Sequence, residues 1–401
     1  MPPWKSPHLK PWASAAVGIA LGAIFNAAFL ATPCLATPPQ GAKAEVAIVP
    51  LLDRSVFSRT DLIHGAEIGA WDMDGGTAIN NPTARKNIVA ARIRVIRWGN
   101  WAKFDDLIQG GSRPRQSLAQ FNNAVDGIRK LGAIPFIKLP PIWTRQGDGA
   151  EDYWNLEWLK KIVRNAGNRV QLYEFGNEPD WYQHWDAETY SRHWNEVVPP
   201  LKQYARNLGF EIYVGGPAIA NSYPGNVEYL ETFLHETATM YQTSGNRDYV
   251  PDFVSSHTYL TEEENATTRS MQERIDAWAQ FYRDVQAAID TAYGGLNDPA
   301  GAPLAPQIKI ADSEFNWTIN KKNTRADNQK YADHYIQAMY KMFRQQKIWL
   351  AAIFTIASHH GDALDLLNAD GTPKPLYNAY KAASVSDPLN KPAPAHSSPP
   401  K

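Results

Sequence analysis

Two glutamates carry the clearest chemical signal. Glu178 lies in Asn177-Glu178-Pro179, and Glu314 follows the run 307–313. Each comes after a short apolar, β-branched or aromatic stretch, which places it at the carboxyl end of an expected strand. Two carboxylates facing each other across a small gap suit cleavage of a glycosidic bond. One, protonated, gives its proton to the leaving oxygen, while the other attacks the anomeric carbon or activates water. A separation of about 5–5.5 Å means retention of configuration and about 6.5–9.5 Å means inversion. The acid stays protonated through desolvation or through the negative charge of its partner.

A lone glutamate at a strand end is more often a helix cap or a salt-bridge member, but the neighbours favour chemistry. Asn177 can bond a sugar hydroxyl beside the reacting carbon, and Pro179 sets the turn. His257 and Tyr259, two apart on one strand, point the same way and can hold Glu314. Arg97 can keep Glu314 ionised. Taken singly, His257 reads as a core histidine and Arg97 as a structural ion-pair residue. Tryptophan is the second signal, with 14 in 401 residues. Trp71, Trp98, Trp101, Trp143, Trp181, Trp185 and Trp317 fall near expected strand ends. There, on loops that run over the surface, flat rings can stack on the C–H faces of sugars. Trp71, Trp98, Trp143, Trp181 and Trp317 are the expected sugar platforms. Trp154, Trp158, Trp194, Trp278 and Trp349 fall in helices or strand interiors and read as core.

The elements that must position these residues alternate along the chain. Strands are expected at 65–71, 93–98, 133–139, 170–176, 211–216, 252–257, 307–313 and 348–356. Amphipathic helices are expected at 117–131, 187–208, 267–293 and 325–345, several stopped by glycine. In the first of these Leu118, Phe121, Val125, Ile128 and Leu131 recur at three- and four-residue steps. Eight strand–helix alternations argue for an α/β fold with an all-parallel sheet covered by helices. An open nucleotide-binding sheet needs a Gly-rich phosphate loop, and neither GxGxxG nor GxxxxGK[ST] occurs. A closed (β/α)8 barrel is therefore expected, with its site at the carboxyl ends of the strands.

Composition bounds the rest. Hydrophobic residues make up 44% and charged residues 20%, enough apolar material for a packed core. The formal net charge of −1 leaves no basic field for a phosphate backbone, so no nucleic acid is expected as partner. The single cysteine, Cys34, excludes a disulfide scaffold and a Cys-based zinc site. His184, His359 and His360 follow no metal-ligand spacing, so neither metal nor cofactor is expected. Residues 1–36 read as a signal peptide: Lys5 and Lys10, then an apolar stretch from Ala13 to Leu30. Cleavage fits after Ala36 or Ala44, giving a secreted or periplasmic protein, anchored in a membrane if uncleaved. A lead-in at 37–60 and a barrel over 61–385 follow, and 386–401, rich in Pro and Ser, is expected to be a disordered tail. Asn265 and Asn316 head formal glycosylation sequons, and a glycan on Asn316 would block Glu314, so Asn316 reads as unmodified.

Several segments resemble a known family. YEFGNEPDW (173–181) is similar to the acid/base segment of retaining glycoside hydrolases of clan A, and IADSEFNW (310–317) to their nucleophile segment. DFVSSHTY (252–259) resembles their sixth-strand segment with its His-x-Tyr. VGGPA (214–218) resembles a fifth-strand segment of family 39, which holds β-xylosidases and α-L-iduronidases. LLNADGTPKPLYNAY (366–380) resembles the stretch before the last barrel helix. The likeness spans about residues 60–385. It implies Glu178 as acid/base and Glu314 as nucleophile, with Asn177 on the 2-hydroxyl and His257, Tyr259 and Arg97 supporting the nucleophile. Family β-xylosidases carry an added β-sandwich, for which little chain is expected here, so the likeness leans towards smaller members that trim bacterial exopolysaccharide.

The sequence thus leads to a secreted retaining hydrolase of a poly- or oligosaccharide. A non-catalytic carbohydrate-binding barrel and a transglycosidase with the same two carboxylates remain as alternatives. The sugar and the choice of endo or exo action rest on loops 99–116, 140–152, 181–186 and 219–226.

Overall fold

The computed structural model describes residues 52–390, apart from 55–56, 58–59, 70–71, 73, 100–102, 105–114, 140, 142–152, 221, 223–225, 261–266, 319–327 and 359–362. The expected signal peptide, Trp71, Trp101, Trp143, Asn265, His359, His360 and residues 391–401 lie outside these. Among the described residues no helix is long and apolar enough to cross a membrane.

The eight expected strands are present: β1 (Leu62–Glu67), β2 (Val95–Trp98), β3 (Ile134–Leu139), β4 (Leu172–Phe175), β5 (Tyr213–Ile219), β6 (Phe253–Tyr259), β7 (Lys309–Asn316) and β8 (Leu350–Ile353). They close into one all-parallel barrel, each strand beside the next and β8 beside β1. This is the expected (β/α)8 architecture. A helix follows each strand: α1 (Pro82–Ala90), α2 (Leu118–Lys130), α3 (Leu156–Ala166), α4 (Ala187–Asn207), α5 (Val227–Ser244), α6 (Thr268–Tyr293), α7 (Gln329–Gln345) and α8 (Pro375–Ser386). Their starts obey local chemistry. Ser117 and Gln120 form a complete capping box before α2. Asn81, Asn155, Asp186, Thr267 and Asn328 each accept a first-turn amide at their own helix.

The barrel interior is layered, because alternate strand residues point inward. Its lower layer is apolar: Leu62, Val95, Phe136, Leu172, Tyr213, Phe253, Ala311 and Leu350 pack together. Two residues further on, β2, β3 and β4 carry Arg97, Lys138 and Glu174, so the layer above is charged. Two strands break the alternation. Pairing slips between Leu62 and Gly65 on β1, and β7 skips Ser313 between the pairs Ser256–Asp312 and His257–Glu314. The extra residue at each bulge changes which side chains face inward. Ala311 and Glu314 are three apart, yet both look into the barrel. Leu62 and Glu67, five apart, do the same.

The lead-in closes the lower end. The backbone of Leu52 exchanges hydrogen bonds with the Gln171 amide at 2.7 and 2.9 Å. Phe57 stacks on Tyr213, with centroids 4.3 Å apart, and tilts against Trp349. Arg54 bonds the buried Asp252 at 2.6 Å, and Lys202 pairs with the same carboxylate at 2.7 Å. The other end of the chain corrects one expectation. Within the expected tail Asp387 and Asn390 are tied to the barrel by their polar groups, although Leu389 between them is exposed. Asp387 bonds His64 at 2.8 Å and pairs with Arg344, while the buried Asn390 bonds Ser384 Oγ at 2.6 Å.

Candidate active site

The upper layer is organised by Arg97, fully buried on β2. Its guanidinium donates to Glu174 Oε2 and Glu314 Oε2, each at 2.7 Å, to Asn177 Oδ1 at 2.7 Å, and to Glu67 Oε2. Lys138 Nζ takes the other oxygen of Glu67 at 2.5 Å. Burial alone would drive the proton from a guanidinium. Glu174, Glu67 and Glu314 overcome that, and Arg97 stays charged, its pKa raised well above the ordinary value. For Glu67 burial wins over Arg97 and Lys138, and its pKa is raised. This network is one unit, since a buried charge left without its partner is costly.

Glu178 and Glu314 differ from their supports in one respect. Their side chains keep 14% and 13% exposure, whereas Arg97, Glu67, Glu174 and His257 have none. Of these six side chains, Glu178 and Glu314 are the ones whose carboxylates reach the solvent at the barrel mouth. One oxygen of each, with one ring nitrogen of His257, lie within 4.8 Å of one another. Glu314 is gripped from below by Arg97 and from the side by the Tyr259 hydroxyl, which donates to its Oε1. Burial, and then the Glu314 carboxylate, raise the Tyr259 phenol well above its ordinary value, so it remains a donor.

His257 serves mainly the other carboxylate. Its Nδ1 lies 2.7 Å from Glu178 Oε1, while Nε2 is 4.0 Å from Glu314 Oε2. Arg97 has only protons to give, so its 3.3 Å contact assigns Nε2 as acceptor and puts the ring proton on Nδ1, towards Glu178. Burial opposes a second proton on the ring, but Glu314 and Glu178 outweigh it and raise the pKa.

The turn that presents Glu178 is strained. Glu178 has φ 53° and ψ 52°, and Ala218 opposite it has φ 57°. Non-glycine residues in this region cost about 1–3 kcal/mol each. Pro179 starts a one-turn helix, Pro179–Tyr182, immediately afterwards. The Glu178 amide donates to Ala218 O at 2.8 Å, joining the ends of β4 and β5. The glycines of VGGPA have a packing reason nearby. A Cβ on Gly216 would meet the Tyr190 hydroxyl at 2.3 Å, and one on Gly215 would meet the Phe253 ring at 2.4 Å.

Three expected tryptophan positions need correction. Trp98 is fully buried, donates to Asp72 O at 3.0 Å and packs on Phe121. It follows Arg97 on β2, so if arginine points in, tryptophan points out under the helices. Trp317 is buried, bonds Ala363 O at 3.0 Å and lies against Tyr331. Trp185 packs into a buried cluster with Trp154 and His193. None of the three offers a face to a sugar. Trp181 stays open to solvent, 57% exposed one turn beyond Glu178. Asn316 is fully buried and its amide nitrogen donates to Leu364 O at 2.8 Å, which leaves no room for a glycan.

Glu67, Glu174 and Lys138 belong to the charged layer without having been singled out as site residues. For Glu174 and Lys138 the signal was available. Val95-x-Arg97, Phe136-x-Lys138 and Leu172-x-Glu174 all pass from apolar to charged at a two-residue step. Glu67 was hidden because β1 begins and ends earlier than the expected 65–71. Glu178, His257 and Glu314 form a donor set that a divalent cation would accept. The guanidinium of Arg97, 2.7 Å from Glu314, already supplies the positive charge there and would repel one.

A closed parallel (β/α)8 barrel with two solvent-reaching carboxylates at its mouth is the class that fold and site define. No protein-family model matches the chain, and comparison with curated protein sequences finds no match. Solved structures do share the fold. A monomeric β-xylosidase from Caulobacter crescentus CB15 aligns with TM-score 0.54 at 18% identity, over 83% of this chain and 68% of that one. A GH39 enzyme from Xanthomonas axonopodis pv. citri aligns with TM-score 0.53 at 18% identity, over 84% and 68%. A 4-O-α-L-rhamnosyl-β-D-glucuronidase from Fusarium oxysporum 12S gives TM-score 0.54 at 13% identity, over 84% and 72%. The fold implied by the family 39 resemblance is the fold observed.

Proposed function

We propose that this protein is a retaining glycoside hydrolase acting on a poly- or oligosaccharide. The observation that carries the reading is the pair Glu178 and Glu314, with oxygens inside 4.8 Å and a shared opening to solvent. Oxygens this close favour the retaining geometry of about 5–5.5 Å over the wider inverting one of about 6.5–9.5 Å. The fold neighbours described as β-xylosidase and glucuronidase support the same class.

In the first step Glu314 attacks the anomeric carbon, and the bond to the leaving oxygen breaks as Glu178 delivers its proton there. The product is an ester between the sugar and Glu314. In the second step Glu178, now a carboxylate, takes a proton from water, whose oxygen displaces Glu314. Arg97 and Tyr259 hold Glu314 in line. His257, donating through Nδ1, leaves Glu178 Oε2 as the proton-carrying oxygen. Trp181 at the rim supplies a stacking face for a neighbouring sugar. Secretion or periplasmic export and bacterial exopolysaccharide as substrate belong to the same proposal, with membrane attachment only where the leader stays uncleaved, supported by the first 36 residues and the segment resemblances.

The test is a screen of aryl glycosides and purified polysaccharides, with the first-formed product anomer read by proton NMR. Retained configuration is expected, and inverted product would end the reading. Glu314→Gln should abolish turnover. Glu178→Gln should spare substrates with activated leaving groups, which need less acid help, and lose poor ones by about 100-fold or more.

A further inference from the structure

We propose that Asp180 is a positioning residue for Glu178, its carboxylate clamping the turn that carries the acid/base to the end of β5. The inference rests on the reading of Glu178 as acid/base. Glu178 and Ala218 face each other in backbone conformations that non-glycine residues rarely hold. Such a pair persists only if its surroundings over-determine it. Two bonds do so. The Glu178 amide donates to Ala218 O at 2.8 Å. Two residues on, both Asp180 oxygens accept the Ala220 amide, at 3.0 and 3.2 Å. Together they pin the start of the one-turn helix to the β5 end on either side of Ile219. The grip on the Ala220 amide comes from the Asp180 side chain.

The clamp is charged, so it responds to pH. Burial first, then the carboxylate of Glu178, push Asp180 up to about 6, against the Ala220 hydrogen bond and the attraction of His257. The titratable groups acting on it are Glu178 on its own turn, His257 on β6 and Tyr229 on α5. The β5 segment offers the Ala220 amide. Above pH 6 Asp180 is a carboxylate and the strong acceptor. Below it, the protonated form binds Ala220 more weakly, and the Glu178 turn loosens.

Two measurements on the full chain test this. In the nitrogen-15 spectrum the Ala220 amide should move with a midpoint near pH 6, and the step should vanish in Asp180→Asn, which keeps an acceptor oxygen. With aryl glycosides of a sugar found by the screen above, Asp180→Ala should lower kcat/KM, which reports the acid-assisted first step, on the phenyl glycoside about 10- to 100-fold. On the 2,4-dinitrophenyl glycoside it should lower kcat/KM less than about 3-fold, and Asp180→Asn should recover most of the loss. Equal losses on both substrates, or an Ala220 amide blind to Asp180, would overturn the proposal. Should Asp180→Ala fail to fold, the amide titration and the Asn variant still decide. Failure of the parent reading looks different: Glu178→Ala would then show no leaving-group dependence, while the Ala220 titration would remain.

Discussion

Tyr259 shows what a single residue contributes at the mouth. Its hydroxyl donates to Glu314 Oε1, the oxygen that Arg97 leaves free. Hydrogen bonds to a charged group are worth about 1.5–3 kcal/mol. Tyr259→Phe should therefore lower kcat/KM by about 10- to 100-fold, with the melting temperature almost unmoved. A loss of stability with full activity in the surviving fraction would make the bond structural. At this scale much was legible. Asn177, Glu178, His257, Tyr259, Glu314 and Arg97 are all brought together, because each ends a strand that the alternation places at one rim. What stayed hidden was who holds whom. His257 is bonded to Glu178 rather than mainly to Glu314. Sequence spacing shows a side chain's direction, not its partner's distance.

At the scale of elements, the bulge on β7 is decisive. Regular alternation from Ala311 would turn Ser313 into the barrel and Glu314 out. The skipped residue reverses this and leaves Asp312 on the outer side, accepting from Thr258 at 2.6 Å. Burial pushes the Asp312 carboxyl up to about 8 in spite of that bond. In the unfolded chain the same group titrates near 3.9. The folded state thus holds its proton more tightly, and the stability this group contributes falls as pH rises from about 4 towards 8. Asp312→Asn keeps the shape without the charge. Its melting temperature should gain on the parent by a few degrees between pH 5 and 8, followed by calorimetry. A constant difference across that range would show that Asp312 is already ionised in the fold and that burial does not raise it. The bulge itself was not legible, since SSHTY and ADSEF read as ordinary strand, and only pairing between neighbours reveals an unpaired residue.

At the scale of the molecule, chemistry and closure sit at opposite ends of the barrel. The lead-in seals the lower end through Phe57, only 1% exposed against Tyr213 and Trp349. Removing a buried phenylalanine ring costs about 3–5 kcal/mol. Phe57→Ala should lower the urea midpoint accordingly while kcat at low temperature stays within about twofold of the parent. A kcat that falls in step with stability would show that the two ends are coupled. Little in 37–60 announced a plug, because Phe57 is its one aromatic and a single ring has no periodicity to read. The same limit explains Trp98 and Trp317. A tryptophan near a strand end looks alike from sequence whether it faces solvent or the helices.

What the sequence by itself determined was the set of elements and the rim at which their polar ends meet. Local periodicity and capping chemistry act within a few residues, so eight strands, four of the helices and both glutamates could be read from neighbours along the chain. The tertiary structure alone decided register, and with it which atoms touch. Only closure of the barrel brings the bulged β7 beside β6, sets Glu314 within 4.8 Å of Glu178, and buries Arg97 among the carboxylates that hold its charge. Those contacts depend on distances between residues far apart in the chain, which no local pattern encodes.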